Sequence, residues 1–326
     1  MAYTKSTGTF LSGDQKTNCA YYVYTPEVNP KAIVQICHGM CEYMERYEHV
    51  AEFLTEQGYV VCGEDHLGHG NTAATPEDYG YFGSEGYEGL IRNVENLRQI
   101  MRKRYRSLPY ILLGHSMGSF IVRQYAVDYK DSIDALVICG TSSGAQPLNA
   151  GILLTGLLSK IRGERYRSSF VRNISFKGYN DRFKSENDPY SWLTRSKECR
   201  VSYASDSKSG FTFTLNGYNA MFRLLKSVSS EEWANEVPKS LPIYIISGDE
   251  DPVGDYGEGV KTVYDRLIAA EICNLKIKLY EGARHELFNE INREEVFADL
   301  LEWLNETVDG VREARIQNNF MYGGGQ

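Results

Sequence analysis

No stretch of this chain reaches the roughly 18 consecutive apolar residues that a membrane-spanning helix requires, and residues 1–24 hold no apolar signal core. A cytoplasmic protein is the expectation. Positive charge is in deficit: 35 Lys and Arg against 43 Asp and Glu leave a net charge of −8, which argues against nucleic acid as a partner. The seven cysteines (19, 37, 41, 62, 139, 199, 273) form no Cys-x-x-Cys pair. Their odd number and strand-like settings suit reduced, buried thiols rather than a disulfide framework. Repeats and low-complexity segments are missing too, and the Gly323-Gly324-Gly325 tail is expected to be disordered.

What is present is a regular alternation. Apolar strand runs at 32–37, 59–63, 110–113 and 134–139 are separated by helical patterns at 44–57, 85–105 and 117–128. That order predicts an α/β fold with a mostly parallel sheet and helices on both faces. Strands near 7–12 and 19–24 add an antiparallel edge. The alternation stops after Gly140-Thr141-Ser142-Ser143-Gly144 and resumes at Pro242. The expected organisation is a core of residues 1–144 and 236–326 with a mainly helical cap, 145–235, inserted between. At 326 residues with 42% hydrophobic content, the chain can bury a sizeable core.

The most informative residues are Gly114-His115-Ser116-Met117-Gly118. They follow the apolar run Tyr110-Ile111-Leu112-Leu113 and precede a helical pattern. A serine on a strand–Gly-x-Ser-x-Gly–helix turn sits in a strained conformation with its hydroxyl exposed above the sheet. The helix starting just after it directs N–H groups and a positive dipole end at developing negative charge. Such a nucleophile needs a base and an orienting acid, and on this kind of turn both follow the serine in the chain. Of six histidines, only His285 does so. It stands in a loop between the strand-like run 275–280 and a helical stretch, 294–303. The acid belongs at the end of the buried-strand run Pro242 to Ser247. There Asp249, Glu250 and Asp251 are consecutive and Asp255 is close by, so position alone does not choose among them. Oxyanion donors are expected from the N–H of Met117 and, after the strand 32–37, from Met40 in His38-Gly39-Met40. His38 reads as a packing residue under the site and His49 as a surface or packing residue. His66 and His69 are three apart and could suggest a metal pair, but no further ligands follow at zinc-like spacing, so neither metal nor cofactor is expected.

Taken together these segments resemble the monoacylglycerol lipase, lysophospholipase and serine aminopeptidase group of α/β-hydrolases. The resemblance rests on His38-Gly39-Met40-Cys41-Glu42 with Arg46-Tyr47, Asp65-His66-Leu67-Gly68-His69-Gly70, residues 114–118, Gly248 through Asp251, and Tyr280-Glu281-Gly282-Ala283 leading to His285. Within the cap, Ser191 to Arg195 and Gly210 to Thr214 are also similar. It implies a serine hydrolase with a cap over an acyl-binding pocket, and it selects Asp251 as the acid. Cys41, Tyr43 and Leu67 depart from the group's usual Gly, His and Arg, which touches the substrate rather than the chemistry.

The implied reaction is cleavage of carboxylic esters through an acyl-enzyme, with monoacylglycerols or lysophospholipids as substrates. A short-chain or aromatic esterase, an aminopeptidase, or a non-catalytic ligand-binding relative are the alternatives. Tyr43, His115, Leu154, Leu158, Phe211 and Phe213 are candidates for substrate contact, with Phe222 and Leu224 beside them. The segment 151–161 reads as a lid helix with a broad apolar face. Residues 160–184 carry eight cationic side chains against two acidic ones, which suits either a solvated face or contact with an anionic lipid surface.

Overall fold

The computed structural model of the chain describes residues 3–13, 15–145 and 147–322; the Gly-rich tail lies outside them. The apolar runs become strands β1 (Tyr3–Leu11), β2 (Asn18–Pro26), β3 (Ala32–Cys37), β4 (Tyr59–Glu64), β5 (Tyr110–His115), β6 (Ala135–Cys139), β7 (Ile243–Gly248) and β8 (Leu275–Tyr280). Among the described residues they form one sheet in the order β1-β2-β4-β3-β5-β6-β7-β8. β1–β2 and β2–β4 are antiparallel; every other pairing is parallel.

The continuous apolar strands are explained by burial on both faces. Successive side chains point to opposite sides of a sheet, and each strand is accordingly divided. Leu112, Leu136, Ile138, Ile243 and Ile245 enter one core, packed by α2 (Gly86–Arg104), α3 (Met117–Asp128) and α9 (Glu258–Ala269). Ile111, Leu113, Val137, Tyr244 and Ile246 enter the other, under α1 (Glu48–Glu56) and α10 (Arg293–Tyr322). Two helices differ from expectation. The 44–57 pattern splits into a 3₁₀ turn, Met44–Tyr47, and α1, because Asp65 Oδ1 accepts from Met44 N (2.9 Å) and fixes the entry to the turn. The 294–303 helix runs on to Tyr322 as α10.

Between β6 and β7 the described residues form α4 (Leu148–Arg162), α5 (Ser169–Ser175), α6 (Lys197–Ser205), α7 (Leu215–Ser227) and α8 (Glu231–Glu236). α4 and α7 pack on each other, and α7 also meets α2 and α3. α8 packs instead on α3 and α9 of the sheet layer. Among the described residues no helix is long and apolar enough to cross a membrane.

Candidate active site

Ser116 joins β5 to α3 with φ 54° and ψ −121°, a backbone state that costs about 1–3 kcal/mol for a residue with a side chain. The surrounding packing holds it there. A Cβ on Gly118 would lie 2.0 Å from the Cys37 carbonyl oxygen, and one on Gly114 would lie 2.3 Å from that of Gly118. Only glycine lets α3 approach β3 and β5 so closely. Ser116 N donates to Cys139 O (3.0 Å), and Ser119 Oγ donates to Ser116 O (2.6 Å).

His285 follows β8. Its Nδ1 lies 2.9 Å from Asp251 Oδ2, so the proton on that nitrogen is directed at the carboxylate and Nε2 keeps its lone pair. Asp251 is fully buried. It accepts from Val253 N (2.8 Å) and Ser247 Oγ (3.3 Å) as well. The neighbouring carboxylates are used elsewhere. Asp249 Oδ1 accepts from Gly282 N (2.7 Å), Glu250 pairs with Arg182 (3.1 Å), and Asp255 is exposed. The two loops are pressed together at Gly248, where a Cβ would stand 2.0 Å from the Ala283 carbonyl oxygen.

The loop after β3 brings Gly39 against the serine; a Cβ there would be 3.0 Å from Ser116 Cβ. Gly39 N donates to Glu42 Oε1 (2.5 Å) and Cys41 N to His69 Nε2 (3.2 Å). Among the described residues Met40 N–H, between them, has no protein acceptor. Met40, Ser116, Met117 and His285 line one cavity of about 360 Å³.

Two further histidine rings brace this loop, one of them anchored on the backbone of His66. His38 Nδ1 donates to Gly39 O (2.8 Å) and its Nε2 accepts from His66 N (3.0 Å). His69 Nδ1 donates to Leu67 O (2.9 Å). Burial, with the neighbouring His66 adding to it, pushes the His69 pKa down to about 3, so it stays neutral and able to accept from Cys41 N. Among the described residues no group of three or more His, Cys, Asp or Glu could hold a metal ion.

A network missed at the sequence level ties these loops together. The His115 ring lies 4.8 Å from that of His285. Its Nε2 donates to the His285 carbonyl (3.1 Å), and its Nδ1 is 3.2 Å from Glu42 Oε1. Glu42 also accepts from Tyr47 OH (2.8 Å) and Arg46 Nη1 (2.8 Å), and Arg46 is bidentate on Glu286 (2.9 Å). Burial opposes charge on both members of the His115–Glu42 pair. Burial is the largest single influence on each. It is outweighed only by the sum of their mutual hydrogen bond and the surrounding opposite charges, Arg46 beside Glu42 and Glu286 beside His115, which together hold the Glu42 carboxyl below its ordinary 4.5 and raise His115 above 6.5. Glu42 therefore contributes stability above its unfolded value, lost as pH falls, while His115⁺ contributes below its unfolded value, lost as pH rises through its folded one. Glu42→Gln is expected to destabilise the fold by roughly 3 kcal/mol. Urea titrations should find the gap from wild type widest between the two ordinary values, 4.5 and 6.5, and narrower on either side. A gap independent of pH would sink this account.

Five of the eight candidates for substrate contact do not line the 360 Å³ cavity. Phe213 is fully buried against Phe82, ring centroids 5.0 Å apart. Leu158 packs against the sheet-layer core, as does buried Leu224. The Tyr43 ring lies under Lys208 Nζ (5.4 Å). Phe211 lines a smaller chamber of about 120 Å³. Leu154, His115 and Phe222 do line the cavity, with Leu148, Met221 and Leu225. Trp192, not singled out in the sequence, lies 5.2 Å from the His285 ring. Its carbonyl accepts from His285 N (3.4 Å), and that of Leu193 from Glu286 N (2.7 Å).

Known proteins share this arrangement of segments. The family model described as Hydrolase_4, serine aminopeptidase, S33, matches residues 28–292. The monoacylglycerol lipase of Mycolicibacterium smegmatis is 25% identical over 87% of this chain and 91% of its own length. The human monoglyceride lipase is 27% identical over 88% and 86%. A thermostable carboxyl esterase from Bacillus coagulans, solved with glycerol, superposes with TM-score 0.88 at 32% identity, covering 94% of this chain and 99% of that one.

Proposed function

From the premise that the chain belongs to the Hydrolase_4 (serine aminopeptidase, S33) family, we propose that it is a carboxylic ester hydrolase acting by acyl transfer through Ser116. The observation that carries the reading is the 2.9 Å His285–Asp251 hydrogen bond beside a strained serine in one cavity. Ser116 Oγ attacks the ester carbonyl as His285 Nε2 takes its proton. Asp251 holds the imidazole in the required tautomer and stabilises the imidazolium. The N–H groups of Met40 and Met117 receive the oxyanion. Collapse expels the alcohol, which takes the proton from His285. Water then repeats the sequence on the acyl-enzyme and releases the acid.

The substrate proposed is a single-chain ester, a monoacylglycerol or lysophospholipid. The distal wall of the cavity is apolar, and its volume of about 360 Å³ lies in the range of small-ligand sites. Relatives with lipase and phospholipase names support the same class. An aminopeptidase needs a carboxylate for the substrate ammonium; Glu42 and Glu286, the carboxylates lining the cavity, are both committed to Arg46. Lipid contact through the cap rests on Leu153, Leu157 and Ile161 of α4, one helical stripe exposed to 64%, 51% and 77%. Several cations of the basic segment are already paired at the surface. Arg165 pairs with Asp78, Arg182 with Glu250 and Lys184 with Asp181, while Arg167 donates to backbone carbonyls at 76–79.

A ladder of p-nitrophenyl esters tests the reading. Octanoyl is expected to exceed acetyl in kcat/KM by about tenfold or more, since each buried methylene adds binding free energy. Peptide amides cleaved faster than any ester would overturn it.

A further inference from the structure

Arg123 lies about two turns beyond Ser116 on α3. It is wholly buried, and among the described residues no carboxylate pairs with it. Burial of an unpaired guanidinium is costly, and here burial, with Arg266 nearby, draws its pKa down to about 9. It remains charged at neutral pH. What it holds is the peptide backbone at two places. Nη1 donates to Thr141 Oγ1 (3.0 Å) and Ser142 O (2.9 Å), on the segment by which the chain leaves β6 for α4. Nη2 donates to Val228 O, on the segment by which it returns from α7.

Other contacts converge on the same point. The Trp233 ring covers the guanidinium at 4.3 Å, and its indole N–H donates to Arg123 O (3.0 Å). A Cβ on Gly144 would fall 1.9 Å from Ser229 Oγ, so the outgoing and returning segments touch. Thr141 Oγ1 also bonds Ser119 Oγ (2.9 Å), whose own proton goes to the Ser116 carbonyl, so the threonine hydroxyl is the donor between them. Arg266 Nη1 donates to Ser143 O (3.1 Å) on the outgoing segment alone. Arg123 is thus a single side chain bonded to both crossings, and it is rooted in the helix that begins at the serine.

We propose that Arg123 is a positioning residue that staples both ends of the inserted helices to α3, thereby fixing the apolar wall of Leu148, Leu154, Met221, Phe222 and Leu225 above Ser116. Its effect on turnover rests on the acyl-transfer reading; its effect on the two crossings does not. A substrate with a short acyl group does not reach that wall, so the staple governs long chains selectively.

The test uses the full chain carrying Arg123→Met or Arg123→Lys, followed by hydrogen–deuterium exchange and the ester ladder. In Arg123→Met, exchange at 141–145 and 228–230 should rise about tenfold or more as the segments open locally, with β3 and β5 unchanged. Octanoyl kcat/KM should fall about tenfold, mainly through KM, and acetyl kcat/KM by less than about twofold. A lysine ammonium cannot reproduce the two-pronged fork, so Arg123→Lys should loosen at least one crossing with the same chain-length signature. It carries the test if the methionine variant does not fold. Unchanged exchange at both crossings in a folded variant would overturn the proposal. So would exchange rising throughout the molecule with equal loss on short and long esters, which marks a packing role alone. A wild-type chain that a fluorophosphonate fails to label would defeat the acyl-transfer reading, and the exchange result would still decide the staple.

Discussion

Ser116→Ala is expected to lower kcat on the best ester roughly 10⁴- to 10⁶-fold and to abolish labelling by a fluorophosphonate probe. The strain at this turn belongs to the backbone, at φ 54°, and alanine carries the same Cβ. The close approaches at Gly114 and Gly118 are also untouched by the change. The variant should therefore fold with wild-type stability to within about 1 kcal/mol. Any residual rate would come from the oxyanion donors and from binding, which the substitution leaves in place. Labelling that survives in Ser116→Ala would remove the serine from its proposed role. A wild-type chain that folds yet takes no label would favour a ligand-binding protein.

The second large effect separates two neighbouring carboxylates. Asp251→Asn should cost about 10⁴ in kcat at neutral pH, and Asp249→Asn no more than a few-fold. An amide at 251 can turn its NH₂ toward His285 Nδ1. The ring proton then moves to Nε2, where the lone pair is needed to accept the Ser116 proton. Asp249 instead receives Gly282 N; its amide version can still accept that bond through Oδ1 and loses only the charge assistance, worth roughly 1 kcal/mol of stability. Steady-state kinetics on one activated ester decides the matter; equal or reversed losses would reassign the acid.

The sheet was legible in the sequence because its central strands are buried on both faces and read as apolar runs of four or five residues, interrupted in β3 by Gln35. His285 was legible by elimination, since no other histidine follows the serine. The carboxylate partner was not, because three acids in a row share one environment in one dimension. What distinguishes them is where the chain turns after Gly248 is pressed against Ala283. The charge network was illegible for another reason. Arg46 lies 4 residues from Glu42 in the chain but 240 from Glu286, and no periodicity spans that distance. Cap side chains were the least readable. Phe213 and Phe222 lie on the same stretch with similar hydrophobicity, yet one fills the core and the other faces the cavity. Aromatic residues serve both ends, and only the tilt of α7 on α2 and α3 sorts them.

The bracing of residues 39–41 bears on where the activation barrier is shaped. With Gly39 N held by Glu42 and Cys41 N by His69, the amide plane between them is oriented during folding. A solvent cage must rotate its dipoles to meet a new negative charge, and that rotation is a large part of the barrier in water. Here the proposed Met40 donor is already aligned, so little reorganisation remains for the moment the charge forms. On the acyl-transfer proposal, the buried histidines around the loop act on the barrier by holding the donor in place, with no proton exchange with the substrate.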